Sequence, residues 1–297
     1  MNKLRFSGHD SFQCRNLWLK KGYDFITDPN EDEPDFNDEL AVIDLGVGKN
    51  MVSSIRFWMK AFHMVDQENE NPTELADYLF SEDGKDPFLE DLGTLWLLHY
   101  HLVKTSESSI YDLVFNKFRK QRIEFTKDQL ANFLISECER RDEKHSPNSI
   151  DTDVGVFLKS YVTPKKEKGK DKIEDRYSSL LIDLNLVRKF ENYGTEDREW
   201  YKIESSERER LPIEIFFYVI LDNEKTLGKS ISFHKLMNAD NSPGNIFALT
   251  PDALVEKINE LVKRYYGLTY KEDAGVRELQ INKDFDKKEI LDEYYEK

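Results

Sequence analysis

At 297 residues the chain is long enough for two or three domains. Apolar residues make up 39% of it and aromatic residues 12%, which excludes intrinsic disorder over most of the chain. The formal net charge of −15 excludes a surface that is basic throughout, and with it a general nucleic-acid coat protein. A small basic recognition element on an acidic body remains compatible with this charge.

The two cysteines, Cys14 and Cys138, lie far apart in sequence, which is typical of a reducing compartment and of a chain without a disulfide framework or zinc site. Residues 1–6 lack the apolar core of a signal peptide, and no run of about 18 apolar residues occurs. We therefore expect a cytoplasmic protein with no membrane partner.

Helical patterns dominate the first half of the chain. The acidic segment 28–39 contains two prolines and predicts an exposed loop. Apolar residues then recur closely enough over 88–103 to predict a largely buried helix. Thr126, with Gln129 three residues later, has the spacing of a capping box and predicts another helix start. We therefore expect residues 1–145 to form a helical N-terminal region.

The second half repeats one order of elements, a helix followed by a β-hairpin. Polar, charged segments at 140–149 and 164–176 predict loops. The repeated order suits winged-helix-like units at 146–208 and 209–297. The expected fold class is mainly α with small β wings, in a multi-unit helix-turn-helix or winged-helix-like architecture. The predicted helices and strands of this half are 154–161, 178–186, 187–191, 199–204, 213–221, 233–238, 252–266 and 276–281, with a turn at 192–197 and helix caps at Ser232 and Thr250.

The segment Glu39–Val65 carries the pattern of a helix-turn-helix, in which a small residue of the first helix contacts the second and glycine supplies the turn. Val42 stands where an alanine is usual, unless Ala41 takes that contact with a shift of register. Gly46 lies at the turn. The second helix then buries apolar residues three apart, beginning with Val52.

The outward-facing residues of this second helix are chemically suited to base edges and phosphates, so we predict a recognition helix for duplex DNA. An alternative is that Gly46 and Gly48 only form a turn between two packed helices. The lysine and arginine side chains would then solvate the outer face. A phosphate loop is less favoured, because the glycine spacing matches neither a Walker loop nor a dinucleotide fingerprint. The predicted DNA-binding residues are Lys49, Asn50, Ser53, Ser54, Arg56 and Lys60.

Near the N-terminus, charged and reactive side chains crowd into a short segment. Their spacing is poor for a metal ion, and a local network in which Ser7 or Asp10 caps the following helix is the more economical interpretation. An alternative hypothesis makes this segment catalytic, completed by His99 or His101. Residues with a predicted conformational or partner-binding role are His9, Asp10, Arg15 and Trp18, and the catalytic alternative centres on His9, Asp10, Cys14 and Arg15.

Several sequence blocks carry a combined pattern: 6–12 with Arg15, 18–22, 45–52, 54–58, 92–99, 242–249 and 274–279. Together they resemble a bacterial family of unknown function, found in defence islands beside phosphoadenylylsulfate-reductase-like sulfurtransferase genes of DNA phosphorothioation systems. The sequence departs from that pattern at Asp10, where glutamate is as readily expected, and at Gly93, where proline is common. The resemblance implies a partner role in sulfur-based DNA modification or defence, with the sulfurtransferase as a partner.

We therefore expect a non-catalytic DNA-binding accessory or regulatory subunit of a sulfur-based DNA modification and anti-phage defence system. We expect no cofactor, no metal ligands and no catalytic residues, because none of the usual catalytic motifs occurs. Two alternatives stay open. The chain is either a protein-interaction adaptor for the sulfurtransferase without DNA contact, or an enzyme that uses the region of His9, Asp10 and Cys14.

Overall fold

The computed structural model describes residues 3–29, 34–163, 179–191, 198–223, 225, 228–273 and 275–297. The chain divides into two compact units. The N-unit comprises Met1–Leu113 and Arg122–Lys202, and the C-unit comprises Val114–Gln121 and Ile203–Lys297. Residues 146–202 thus group with the preceding helices, while the three-domain division at 145 and 208 stays a prediction.

The first half of the chain is mainly helical, and the helices of the N-unit surround its core. The most buried is the fifth, α5, in which every side chain from Gly93 to Val103 is buried. The elements are α1 (Trp18–Ile26), α2 (Ala41–Asp44), α3 (Lys49–Ala61), α4 (Glu74–Phe80), α5 (Leu92–Thr105), α6 (Ser109–Leu113), a π-helix (Val114–Phe118), α7 (Arg119–Gln121), β1 (Glu124–Phe125), α8 (Lys127–Arg140) and α9 (Pro147–Tyr161).

Local side-chain chemistry sets where these helices begin. The hydroxyl of Thr73 accepts a hydrogen bond from the backbone at the start of α4, and the carboxylate of Asp91 does the same for α5. The capping box predicted for Thr126 and Gln129 is present at the start of α8. Pro147 was expected in a loop, but it lies in the first turn of α9, where the missing N–H of proline costs no helical hydrogen bond.

The N-unit carries a small antiparallel sheet that includes the predicted hairpin. The hairpin strands are β2 (Arg188–Phe190) and β3 (Trp200–Lys202), and β3 lies between β1 and β2. Sequence periodicity missed β1, which has only two residues. Residues 179–186 of the predicted helix 178–186 form a single 3-10 turn at Ile182–Leu184 rather than a longer helix. The predicted loop 164–176 and turn 192–197 lie outside the described residues.

The C-unit packs helices against a second antiparallel sheet, in which β6 lies between β4 and β5. Ser232 and Thr250 cap their helices as predicted, and the predicted strand 276–281 is β6. The elements are α10 (Ile213–Asp222), β4 (Ser230–Ser232), α11 (Phe233–Asn238), α12 (Pro243–Ile246), α13 (Pro251–Arg264), β5 (Leu268–Asp273), β6 (Val276–Ile281) and α14 (Lys287–Tyr295).

The two sheets share one connectivity. In each, a first strand is followed by helices and then by a hairpin, and the last strand lies between the other two. The predicted fold class, mainly α with small β wings, is confirmed at this level. Over the residues described above, no helix is both long and apolar enough to cross a membrane.

Candidate functional site

The outer face of α3 is the first candidate surface, and most of its predicted residues do face outward. Lys49, Asn50 and Ser53 are exposed in the first turns of the helix. Gly48 is the N-cap residue of α3, and because it has no side chain, the first backbone N–H groups of the helix have no side-chain cap. This end of α3 therefore combines a lysine with the positive end of a helix dipole.

Further along the same face, two cations share one carboxylate. The Arg56 guanidinium donates to both carboxylate oxygens of Glu70, with Nε–Oε2 at 2.8 Å and Nη2–Oε1 at 2.6 Å. The Lys60 ammonium lies 2.8 Å from Oε1 of the same Glu70. Burial opposes ionisation of Glu70, but the hydrogen bonds from Arg56 and Lys60 outweigh it and lower the pKa of the carboxyl below 4.5. These cations are therefore already partly neutralised within the chain.

Two expectations about the helix-turn-helix segment need correction. Ser54, expected on the outer face, is 0% exposed and points into the core of the N-unit. Ala41 is buried at 1% exposure whereas Val42 is only half-buried, so the small contact residue is Ala41, with the shifted register. The first helix, α2, is a single turn of four residues. Gly46 has a φ of 61° and supplies the turn between α2 and α3 as predicted.

The N-terminal loop 7–11 packs against the opposite side of α3 in an unusual backbone conformation. Ser7, Asp10 and Ser11 have φ values of 68°, 45° and 68°, a region that non-glycine residues avoid. Gly8 lies so close to Phe57 that a Cβ atom would be 2.3 Å from the ring. Because each such residue costs about 1 kcal/mol or more, the surrounding contacts must hold this loop in place.

His9 is the residue that anchors the loop. It is 1% exposed and stacks on Trp58, with ring centroids 5.9 Å apart. Its Nδ1 accepts a hydrogen bond from the backbone of Ser11, which places the ring proton on Nε2, 3.1 Å from Oδ1 of Asp153. The same carboxylate oxygen accepts a hydrogen bond from the backbone N–H of Ser7 at 2.8 Å. Asp153 of α9 thus bonds to the first residue of the loop, Ser7, and lies beside His9 in its middle.

The other residues predicted beside His9 occupy different environments. Asp10 is exposed, so it does not join the buried network. Arg15 is half-buried, with its guanidinium carbon 5.5 Å above the ring of Trp18, and Trp18 is buried at the start of α1. Their predicted conformational or partner-binding role stays a prediction.

The catalytic alternative loses its geometric support. Cys14 is buried, and burial raises the pKa of its thiol well above the usual value, so it is held in the protonated, unreactive form. His99 is fully buried and bonds through Nδ1 to the hydroxyl of Tyr161 at 2.9 Å, while His101 stacks on His63 at 5.3 Å. Both rings are therefore engaged with partners other than His9. The described residues hold no group of three or more His, Cys, Asp or Glu arranged for a metal ion.

The outer face of the N-unit sheet is a surface that the sequence analysis missed. Phe125 and Tyr201 are cross-strand partners on the inner, buried face. The alternate residues of β2 and β3 therefore point outward, and the cross-strand pairs Phe190–Trp200 and Arg188–Lys202 share one face. We call these four residues the aromatic-cationic face. The alternation of charged and aromatic residues in 188–190 and 200–202 was the available signal.

The C-unit contains a cavity of about 440 Å³. Ile220, Ile231 and Phe285 line its apolar side, and its rim carries charges of both signs. Lys287, on that rim, is paired with Asp222 at 2.5 Å. This mixture defines no single ligand class.

These features define a mainly helical protein with two small antiparallel sheets. Its helix α3 contacts Glu70 on the outer face and loop 7–11 on the other, and His9 of that loop is buried. The chain belongs to the DUF4007 family, proteins of unknown function, whose model matches residues 6–295. No curated protein matches the chain.

Two solved structures are similar to the chain over nearly its whole length. One is described as an SspB crystal structure, with a TM-score of 0.83, and the other as a magnesium ion-bound SspB crystal structure, with a TM-score of 0.82. Each is 28% identical to this chain, and each match covers 98% of this chain and 88% of the other. The similarity therefore includes both units.

Proposed function

We propose that the protein is a non-catalytic accessory or regulatory subunit of a sulfur-based DNA modification and anti-phage defence system, and that it contacts duplex DNA through α3. Membership of DUF4007 and the similarity to SspB over 98% of the chain support a role shared with those proteins. The sequence resemblance described above supplies the phosphorothioation context.

The observation that carries DNA contact is the outer face of α3. It aligns the exposed Lys49, Asn50 and Ser53 with the cations of Arg56 and Lys60 on one helix surface. Such side chains contact phosphates and base edges in helix-turn-helix proteins. The repeated sheet connectivity favours winged-helix-like folds for both β-containing regions.

Glu70 makes the proposal sensitive to test, because it competes with DNA phosphates for the same two cations. Changing both Arg56 and Lys60 to Ala should weaken duplex binding and reduce the salt slope by about 0.9 for each phosphate that is no longer neutralised. Glu70→Gln should act in the opposite direction and strengthen binding. A matched control is Arg140→Ala with Lys144→Ala, which removes two cations from α8 and the following loop.

The measurement is fluorescence anisotropy of a labelled duplex over a range of salt concentrations, with melting curves to verify folding. Duplex binding that is unaltered in the Arg56/Lys60 variant would exclude α3 as the recognition helix. Binding that falls equally in the control would indicate a general loss of charge.

A second candidate function, the adaptor, is favoured by one observation. Leu40 and Ile43 of the α2 segment are 60% and 73% exposed, and Asp38, Glu39 and Asp44 are exposed beside them. An apolar patch surrounded by carboxylates suits a partner with a basic, apolar surface. The expected partner is the phosphoadenylylsulfate-reductase-like sulfurtransferase.

The adaptor is tested by a pull-down of the native protein with and without nuclease. A complex that survives nuclease and is abolished by Leu40→Ser with Ile43→Ser supports it. Phe88→Ser is the matched control, since Phe88 is also an exposed apolar residue, at 61%. A complex that disappears with nuclease would assign the association to DNA.

A further inference from the structure

The aromatic-cationic face presents two rings beside two cations on a short, regular surface. The Phe190 and Trp200 ring centroids are 6.3 Å apart, and both side chains are half-buried, so part of each ring reaches solvent. The Lys202 ammonium lies 5.9 Å from the centre of the Phe190 ring. Arg188 is exposed at the other end of β2 and is positioned by a hydrogen bond from its Nε to the side chain of Asn185 at 3.1 Å.

The strand pairing explains why these four side chains form one surface. Phe190 pairs with Trp200, and Arg188 pairs with Lys202, so the aromatic pair and the cationic pair lie side by side along the hairpin. The opposite face of the sheet packs on the core, because Tyr201 is buried and its ring centroid lies 6.0 Å from that of Phe125. The outer rings are therefore held on a rigid sheet rather than on a loop.

Partly accessible aromatic rings next to cations are elements that bind single-stranded nucleic acid. Unpaired bases stack on aromatic side chains, and the phosphates between them meet lysine and arginine. A duplex offers no unstacked base to such a surface.

We propose that the aromatic-cationic face binds single-stranded DNA, with bases stacked on Phe190 and Trp200 and phosphates held by Arg188 and Lys202. This rests on the proposed DNA function but uses a different surface from α3 and a different form of DNA. It places an unpaired stretch of DNA on the N-unit sheet.

A negative charge on the same face opposes the binding of DNA, and removing it distinguishes DNA from a basic peptide as the ligand. Glu124 of β1 is the cross-strand partner of Lys202 and is exposed. Its carboxylate repels a phosphate that approaches Lys202. Glu124→Gln should therefore tighten single-strand binding, whereas a surface that binds a basic peptide would respond in the opposite direction.

The test uses the full chain and a fluorescently labelled oligothymidylate, with a duplex and an oligouridylate as separate arms. Phe190→Leu and Trp200→Leu keep an apolar side chain but remove the ring. Each should weaken oligothymidylate binding roughly 5- to 160-fold, the range for loss of one stacked base, while duplex binding is unchanged. Arg188→Gln and Lys202→Gln should each lower the salt slope by about 0.7.

Tyr266→Ala is the matched control, because Tyr266 is 95% exposed in the C-unit and its removal should leave binding intact. Melting curves establish that each variant is folded, and Trp200→Phe should restore most of the affinity. The proposal is overturned if the wild-type chain does not bind oligothymidylate, if folded leucine variants bind it normally, or if oligouridylate binds more tightly. Whether or not the α3 variants lose duplex binding bears only on the proposed function.

Discussion

Asp153 should be among the most costly polar residues to remove from the N-unit. Its side chain is 0% exposed, and it faces both the imidazole of His9 at 3.1 Å and the backbone N–H of Ser7 at 2.8 Å. Asp153→Ala would leave both groups without this partner, beside a loop whose backbone is already strained. Leaving a buried hydrogen-bonding group without its partner costs about 1–3 kcal/mol. Asp153→Asn keeps an acceptor for Ser7 and should cost less.

The measurement is urea unfolding followed by tryptophan fluorescence, in which a shift of midpoint at constant slope reports stability. For a unit of this size, the expected loss lowers the melting temperature by about 2–12 °C. Asp151→Ala is the matched control, because Asp151 lies on the same helix but is exposed. A loss for Asp153→Ala that exceeds the control by less than about 1 kcal/mol, the size of an ordinary substitution, would refute the anchoring role.

Three further predictions follow from the same contacts. Gly8→Ala should destabilise the protein by about 1–3 kcal/mol, because the added Cβ would overlap the Phe57 ring. By contrast, Gly155 lies on a helix with open space around it, so Gly155→Ala should stabilise the protein by about 0.5–1 kcal/mol in the same denaturation assay. Since the folded-state pKa of Glu70 is lowered from 4.5, its stabilising contribution is present above that pH and is lost as the pH falls through the lowered pKa, so Glu70→Gln should show a flatter loss of stability below pH 4.5. Cys14 should resist thiol reagents in the native protein and react in urea, and rapid native labelling would contradict its burial.

Local chemistry explains what the sequence predicted well. Helix starts at Thr126, Ser232 and Thr250 depend on a hydroxyl and a backbone N–H three residues later, so the information lies within one turn. Strand β6 was predicted from its apolar residues Val276, Leu279 and Ile281, which do not alternate strictly. Strand β1, with two residues, has no periodicity of its own and exists because β3 pairs with it.

The contacts that define the candidate sites could not be predicted from local sequence patterns, because they join residues that are distant in sequence. The backbone of Ser7 bonds to Asp153, 146 residues away, and nothing in the helix that carries Asp153 marks it as the partner of a histidine. Arg56 and Glu70 are separated by 14 residues, but they meet because the chain turns back after α3. Periodicity assigned Arg56 to the outer face correctly, yet it contained no information about the carboxylate already there.

The pairing of Arg56 with Glu70 connects the acidic composition to the way α3 would meet DNA. A partly exposed ion pair is worth about 0–1 kcal/mol, so exchanging Glu70 for a phosphate costs little. Until that exchange occurs, the carboxylate offsets positive charge on α3, and a chain of net charge −15 has weak attraction for arbitrary duplexes. Under the proposed function, a duplex site that also engages Lys49 and Asn50 at the start of the helix would gain contacts that offset the loss of the Glu70 pairing. Glu70 would then weaken binding most at sites that meet only Arg56 and Lys60.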